Sequence, residues 1–369
     1  QPPTANPVAL NSTVPPPVRS TFTSRVFVAP TGSGKTTRVP MQYVEAGHRV
    51  LVLNPSVATT AALPAYMKSE YGIQPSVMYG DTTHITGAKL TYSTYGRFLT
   101  MPETLLKEHD VVICDECHAL DETTVLGIGT ALAYAEVSGV SLLVMATATP
   151  PGHGWAPHTD IAEVPLDDTG SIPFYGKKLN VENYRVGRHL VFCATIEMVC
   201  KVRDALNGSK IKAVGYWRGE PISRIPTTGD VVVVATDALM TGFTGNFDSV
   251  TDCCAAVKST IDVDFSPTMS IGVKFAPSTT SCSLQRRGRT GRGKPGVYRY
   301  ITPHHDSGGI IEDATVAAAY DMGILWHHLK PKEITVRLEA YNSQMNLPRI
   351  VSILDNWECL YTLLEPYAK

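Results

Sequence analysis

One stretch near the N-terminus constrains the fold more than any other: "RVFVAPTGSGKTTRVPMQYV". A strand-like apolar run enters Ala29-Pro30-Thr31-Gly32-Ser33-Gly34-Lys35-Thr36, and a segment of helical length follows. Glycines let backbone N–H groups curl around a phosphate, and a helix N-terminus adds positive potential. Lys35 can reach the β- and γ-phosphates of a nucleotide, and the Thr36 hydroxyl can ligand Mg²⁺. Gly32, Ser33 and Gly34 supply the cradle itself. The strict pattern begins with Gly, and here Ala29 stands in that place. Because such a loop is built between a strand and a helix, it predicts an α/β fold.

The rest of the chain agrees. "RVLVLN", "KLTYS", "DVVICD" and "SLLVMAT" are near-continuous apolar or β-branched runs of strand length, separated by segments of helical length. Buried strands alternating with helices imply a doubly wound parallel sheet. The pattern pauses at "TPPGHGWAPHTD", dense in Gly, Pro and His, then resumes with "HLVFCAT", "IKAVGYW", "DVVVVAT" and "GVYRYIT". From about residue 307, three segments read as helices. The expected plan is a Pro-rich linker over 1–23, α/β domains over 24–151 and 152–306, and a mostly α-helical domain over 307–369. A chain of 369 residues is long enough for two or three cores. The linker lacks the basic and apolar regions of a signal peptide and suggests that the chain was cut from something longer.

A phosphate loop needs a carboxylate on a neighbouring strand to hold its metal, and "VVICDECH" (residues 111–118) offers one. The same letters also match a C-x-x-C-H haem attachment site, a redox pair and half a zinc site. A haem of that kind requires export, for which there is no signal, and no second C-x-x-C or H-x₃₋₅-H completes a zinc site. With the phosphate loop upstream, Asp115 is expected at the strand's C-terminal end, holding Mg²⁺, with Glu116 polarising the attacking water. His118, beside both carboxylates, is expected to link the nucleotide to other sites. The net charge of −2 does not announce a nucleic-acid binder, so any such role must rest on local features. No apolar run approaches the ~20 residues needed to span a bilayer. Eight cysteines, several inside apolar runs, suit reduced thiols better than a disulfide framework.

The third signal is "LQRRGRTGRGKPG", residues 284–296. Composition alone reads this as a solvated basic loop. The spacing adds that Arg289 and Arg292, three apart, would share a face if they lie on a helical turn, with Gln285 one turn earlier. A glutamine orienting water and two guanidinium groups neutralising transition-state charge are what nucleotide hydrolysis needs from outside the cradle. The trio sits in the second α/β block, so a competent site is expected when the two blocks close on each other.

The order of A-x-x-x-x-G-K-T, DECH, "TAT" (147–149) and "QRRGRTGR" resembles superfamily-two DExH helicases, which have two RecA-like domains. "VLVLNPSVATT", "TYSTYGRFL", "MATATPPG" and "VVVVATDALMTGFTGNFDSV" narrow the resemblance to the hepatitis C-type (hepacivirus) helicases, from about residue 24 onward. That resemblance implies Mg²⁺-ATP-driven, 3′→5′ unwinding of duplex RNA, with DNA as an alternative substrate. It implies Ser56, Val57, Thr94, Thr195, Arg218, Thr236 and Thr241 against a single-stranded backbone, Trp326 stacked on a base and Val257 as a wedge. It also implies Thr147 and Thr149 as couplers between the nucleotide and RNA sites. An upstream protease domain of the same polyprotein and other viral replication proteins follow as partners. So does a location in the host cytoplasm, tethered to endoplasmic-reticulum replication complexes. The alternative is an RNA-stimulated ATPase clamp that does not unwind. Three departures stand out: Ala194 where the family carries His, Ala318 where it carries a gating Glu, and a helical region of only about sixty residues.

Overall fold

The computed structural model describes residues 10–30, 32–149, 155, 157–240, 243, 245–264, 268–302, 311–345 and 351–367. It divides into two compact units, 1–152 with 309–369, and 153–308.

The first unit begins with β1 (Leu10–Ser12) and β2 (Thr23–Val28), the strand that enters the phosphate loop. There follow α1 (Arg38–Glu45), β3 (Val50–Asn54), α2 (Val57–Tyr71), β4 (Ser76–Tyr79), β5 (Thr82–His84) and β6 (Leu90–Thr94). Then come α3 (Tyr95–Thr100), α4 (Pro102–Lys107), β7 (Val111–Cys114), α5 (Glu122–Tyr134) and β8 (Leu142–Thr147). The strands lie in the order β1-β2-β8-β7-β3-β6-β4-β5, and all but the β4–β5 pair run parallel. Every residue of β3, β6, β7 and β8 is buried. Helices on both faces explain why these strands read as unbroken apolar runs.

The parallel order has a functional consequence. β2, β8, β7, β3 and β6 are consecutive neighbours, so their C-terminal ends line one edge, where open α/β sheets bind ligands. Along that edge stand the phosphate loop, Thr147, Asp115, Asn54 and Thr94.

In the second unit, β9 (Ile161–Pro165) is followed by a small hairpin, β10 (Ile172–Phe174) with β11 (Lys177–Leu179). Next are β12 (Arg188–Phe192), α6 (Ile196–Gly208), β13 (Ala213–Tyr216), β14 (Val231–Ala235) and β15 (Ser249–Asp252). A long antiparallel ribbon, β16 (Ala255–Asp264) with β17 (Thr268–Pro277), precedes α7 (Thr280–Arg287) and β18 (Gly296–Tyr300). The main sheet is parallel, in the order β13-β14-β12-β15-β18-β9. Two RecA-like parallel-sheet units are therefore present, as the alternating pattern predicts.

The C-terminal helices α8 (Asp313–His327), α9 (Pro331–Gln344) and α10 (Val351–Leu364) belong with the first unit. α9 packs closely on α5 because α5 is bare where they cross. A Cβ on Gly129 would lie 2.2 Å from the Arg337 carbonyl oxygen. The Arg337 guanidinium sits over the Tyr134 ring, 4.7 Å from its centroid.

Candidate functional site

The phosphate loop turns on two left-handed glycines, Gly32 (φ 80°) and Gly34 (φ 87°). A Cβ at Gly34 would come within 2.7 Å of the Arg38 Cβ. α1 starts at Arg38, beyond Lys35 and Thr36, because the positive φ at Gly34 leaves the next residues in turns. Lys35 is buried, its Nζ donating to the carbonyls of Ala29 (2.7 Å) and Pro30 (2.8 Å). Burial lowers its pKa, and the charges of Asp115 and Glu116 oppose that shift. The Ser33 hydroxyl oxygen is buried without a hydrogen-bond partner. A buried polar atom left this way is costly unless something bound to the loop satisfies it.

Across the sheet, Asp115 follows the last residue of β7 and is almost wholly buried. The Thr36 hydroxyl donates to its Oδ2, and Asn54, at the end of β3, donates to the same oxygen at 3.3 Å. Burial and the neighbouring Glu116 push the Asp115 carboxyl up to about 6, against the pull of Thr36 and Lys35. A hydroxyl oxygen beside a carboxylate suits a hard cation such as Mg²⁺, which keeps most of its shell as water and phosphate oxygen. Among the described residues no cluster of three or more His, Cys, Asp or Glu could cage a metal unaided. The residues present thus fit an ion that arrives with a nucleotide.

The thiols are excluded from this chemistry. Cys114 and Cys117 are fully buried. Burial pushes Cys114 up to about 12 and Cys117 well above its ordinary value, so neither presents a thiolate.

Glu116 lies in the left-handed region, φ 55°, at a cost of about 1–3 kcal/mol for a residue with a side chain. Its Oε2 is 3.0 Å from His118 Nε2. The other imidazole nitrogen, Nδ1, is 2.7 Å from Thr147 Oγ1, which also accepts from the Thr149 amide at 3.0 Å. The structure thereby joins Glu116, His118, Thr147 and Thr149, residues that the sequence placed in separate motifs.

In the second unit the arginine motif divides by role. Helix α7 ends at Arg287, and Gly291 takes φ 73°. Arg289 and Arg292 therefore lie past the helix, and the shared helical face expected from their spacing does not form. Arg289 donates to the carbonyls of Phe243 and, at 2.6 Å, Met240. Arg292 is partly buried, with Nε 2.7 Å from the Gly288 carbonyl, and burial lowers its pKa. Gln285 sits half-buried in the last turn of α7.

Sequence reasoning missed Arg286. It is fully buried, pairing with both oxygens of Asp237 (2.8 Å each), with Asp252 (2.8 Å) and with the Ala255 carbonyl (3.0 Å). Burial raises the pKa of Asp252, but the Arg286 charge and the Tyr298, Cys254 and Arg286 hydrogen bonds outweigh it and hold the carboxyl below its usual range. The only available signal was the acid-free run itself, which does not tell a buried arginine from an exposed one.

The RNA-facing expectations fall on strand ends and helix starts. Ser56 caps α2, Thr94 caps α3 and Thr195 caps α6, each accepting from a first-turn amide. Val57 is exposed at the start of α2. Arg218, exposed, and Thr195 and Thr236 lie just past the C-terminal ends of β13, β12 and β14, which are neighbours in the sheet. Thr241 lies outside the described residues. Val257, near the root of the β16–β17 ribbon, is 43% exposed and pairs with the exposed Phe275. Trp326 is 77% exposed on α8, so it is no part of a core. Ala194 donates its amide to the Tyr175 hydroxyl oxygen (2.9 Å), and Ala318 lies on α8.

A phosphate loop facing a carboxylate-tipped neighbouring strand, in a chain with two parallel sheets, is the arrangement of a P-loop nucleotide-binding fold. Residues 14–154 match the DEAD/DEAH box helicase family, a span that takes in β2 to β8 of the first unit. The chain's likeness to hepatitis C virus genome polyproteins extends over nearly its whole length. It is 51% identical over 352 residues, 95% of its length, to the genome polyprotein of hepatitis C virus genotype 3a. It is 47% identical over 357 residues, 97% of its length, to that of genotype 6d. In each case the chain spans 12% of the polyprotein's own length. Among the described residues, no helix is long and apolar enough to cross a membrane.

Proposed function

We propose that this chain hydrolyses nucleoside triphosphate, ATP foremost, with Mg²⁺, and uses the cycle to move 3′→5′ along RNA and separate duplexes during viral replication. The observation that carries the reading is the Thr36–Asp115–Asn54 cluster beside a phosphate loop that keeps a buried, unpartnered Ser33 hydroxyl. Gly32, Ser33, Gly34 and Lys35 bind phosphate, and Thr36 and Asp115 hold the metal. A bound Mg²⁺ supplies neutralisation of phosphate charge. Glu116 polarises water. Gln285, Arg289 and Arg292, carried by the second unit, are assigned to orienting water and neutralising developing charge. Arg289 holds the Met240 and Phe243 carbonyls with two of its five N–H donors.

For RNA, the caps of α2 and α6 support the assignment of Ser56 and Thr195, since helix N-termini attract phosphate. Thr94, Arg218, Thr236 and Thr241 extend that track. An exposed indole supports base stacking by Trp326, worth about 1–3 kcal/mol per base, with Val257 as the wedge. His118, Thr147 and Thr149 couple the two sites. The relatives' being genome polyproteins supports other viral replication proteins as partners; by the same resemblance the reading extends to an upstream protease domain of the polyprotein and to a place in the host cytoplasm, tethered to endoplasmic-reticulum replication complexes.

The test is nucleotide turnover with and without poly-uridine RNA, alongside unwinding of a duplex with a 3′ overhang. RNA-stimulated turnover with strand separation supports a motor. Stimulated turnover without separation identifies a clamp, and unstimulated turnover on every RNA overturns both.

A further inference from the structure

We propose that the phenol hydroxyls of Tyr95 and Tyr341 clamp the backbone on either side of Glu116 and hold it in its left-handed conformation, making both tyrosines positioning residues for nucleotide hydrolysis. The proposal rests on the reading of Glu116 as the residue that polarises water.

Tyr95 Oη donates to the Asp115 carbonyl at 2.6 Å, and Tyr341 Oη donates to the Cys117 carbonyl at 3.3 Å. These carbonyls flank Glu116, the residue at φ 55°. Both rings are fully buried. Tyr95 and the helix that carries Tyr341 both sit tightly against α5. A Cβ on Gly127 would sit 2.8 Å from Tyr95 Cδ1, and a Cβ on Gly129 would strike the backbone of Arg337, one turn before Tyr341.

A left-handed residue with a side chain persists only where its surroundings over-determine it. Buried carbonyls also resist losing their donors. Rotating the Asp115–Glu116 peptide toward ordinary values would turn the Asp115 carbonyl from the Tyr95 hydroxyl, and the chain displaced beyond Glu116 would carry the Cys117 carbonyl from Tyr341. The same rotation would swing the Glu116 carboxylate from His118 Nε2, now 3.0 Å away. The donors come from different places: Tyr95 opens α3 directly after Thr94, while Tyr341 lies on α9 in the C-terminal helices. The reactive turn is therefore set from both sides.

The test compares Tyr95→Phe, Tyr341→Phe, Glu116→Gln and Tyr361→Phe in the whole chain. Tyr361 donates to the Ala317 carbonyl at 3.1 Å and is buried among the C-terminal helices, so its loss is a matched stability control. Misplacing a reacting group by about 1 Å costs on the order of 10²-fold. We expect RNA-free kcat to fall roughly 10- to 100-fold in Tyr95→Phe and Tyr341→Phe, with KM for ATP within about twofold, the signature of an interaction used after binding. Tyr361→Phe should melt as low as Tyr341→Phe and keep its kcat. Unchanged kcat in both clamp variants, or an equal loss in Tyr361→Phe, overturns the clamp. Normal turnover in Glu116→Gln instead overturns the assignment of Glu116, and the clamp with it.

Discussion

His118 Nδ1 lies 2.7 Å from Thr147 Oγ1, while its other nitrogen reaches Glu116. One imidazole thus ties the end of β8 to the turn after β7. Coupling between sites typically spans 5- to 150-fold. Thr147→Val keeps the side chain's shape and removes its hydroxyl, so the ratio of RNA-stimulated to basal turnover should drop by about 5-fold or more. Equal ratios in the variant and the parent would remove His118–Thr147 from the coupling path.

Lys35→Ala and Asp115→Ala should each abolish hydrolysis and leave single-strand affinity intact. Both act on phosphate and metal in the proposed site. Fluorescence titration with labelled poly-uridine and a phosphate-release assay check this together. Turnover near that of the parent in either variant would show the nucleotide site to be elsewhere.

Trp326→Ala should lower single-strand affinity by roughly 5- to 150-fold, the equivalent of one base stack at about 1–3 kcal/mol. Because the indole is 77% exposed, the melting temperature should scarcely move. Burial in a core would instead cost about 3–5 kcal/mol. Trp326→Phe keeps a π-face and should retain most of the affinity. Normal RNA binding by the Ala variant would sink the stacking assignment.

Arg286 and Arg292 should separate in opposite ways. Arg286→Ala leaves Asp252 buried and unpaired, which costs about 3–5 kcal/mol, so the second unit should melt far earlier. Arg292→Ala should leave stability nearly unchanged and depress turnover, since charge-stabilising arginines contribute on the order of 10³–10⁵ in rate in related chemistry. Calorimetry beside turnover distinguishes them. A stable Arg286→Ala with lost hydrolysis would reverse the two roles.

Acid should act through Asp252. Its folded pKa is depressed, so the ionised carboxylate stabilises the fold fully above the unfolded value of about 3.9. As pH falls from there through the lower folded value, the unfolded chain binds the proton first and this stability is lost. Urea melts at pH 5 and pH 3 should show a smaller drop in Asp252→Asn than in the parent. An identical drop would assign the acid sensitivity to other groups.

The central strands were legible because double burial writes itself as unbroken apolar sequence, as in Val231–Ala235 and Leu142–Thr147. Edge and hairpin strands were not. Only the first residue of the edge strand β9 is buried, β15 (Ser249–Asp252) is mostly polar although it lies inside the sheet, and the β16–β17 ribbon mixes polar with apolar residues. The nucleotide motifs were legible as local strings, yet their assembly was not. Only the strand order brings Asn54 to Asp115 and Thr147 to His118. Arg289 and Arg292 misled because spacing implies a helical face only where a helix continues, and Gly288 and Gly291 end this one. Tyr341 lay in no motif, and Tyr95, inside "TYSTYGRFL", carried no assigned role, since a tyrosine that donates one buried hydrogen bond looks like any core aromatic.

Arg286 also grips the root of the β16–β17 ribbon through the Ala255 carbonyl, the ribbon's first residue. Ten paired positions run from Ala255 opposite Pro277 to Asp264 opposite Thr268, a lever arm of about 30 Å at ~3.3 Å per residue. A tilt of about 10° at that pivot would carry the far end about 5 Å over such a length. Val257, two residues from the fulcrum, would travel only about 1 Å on the same geometry.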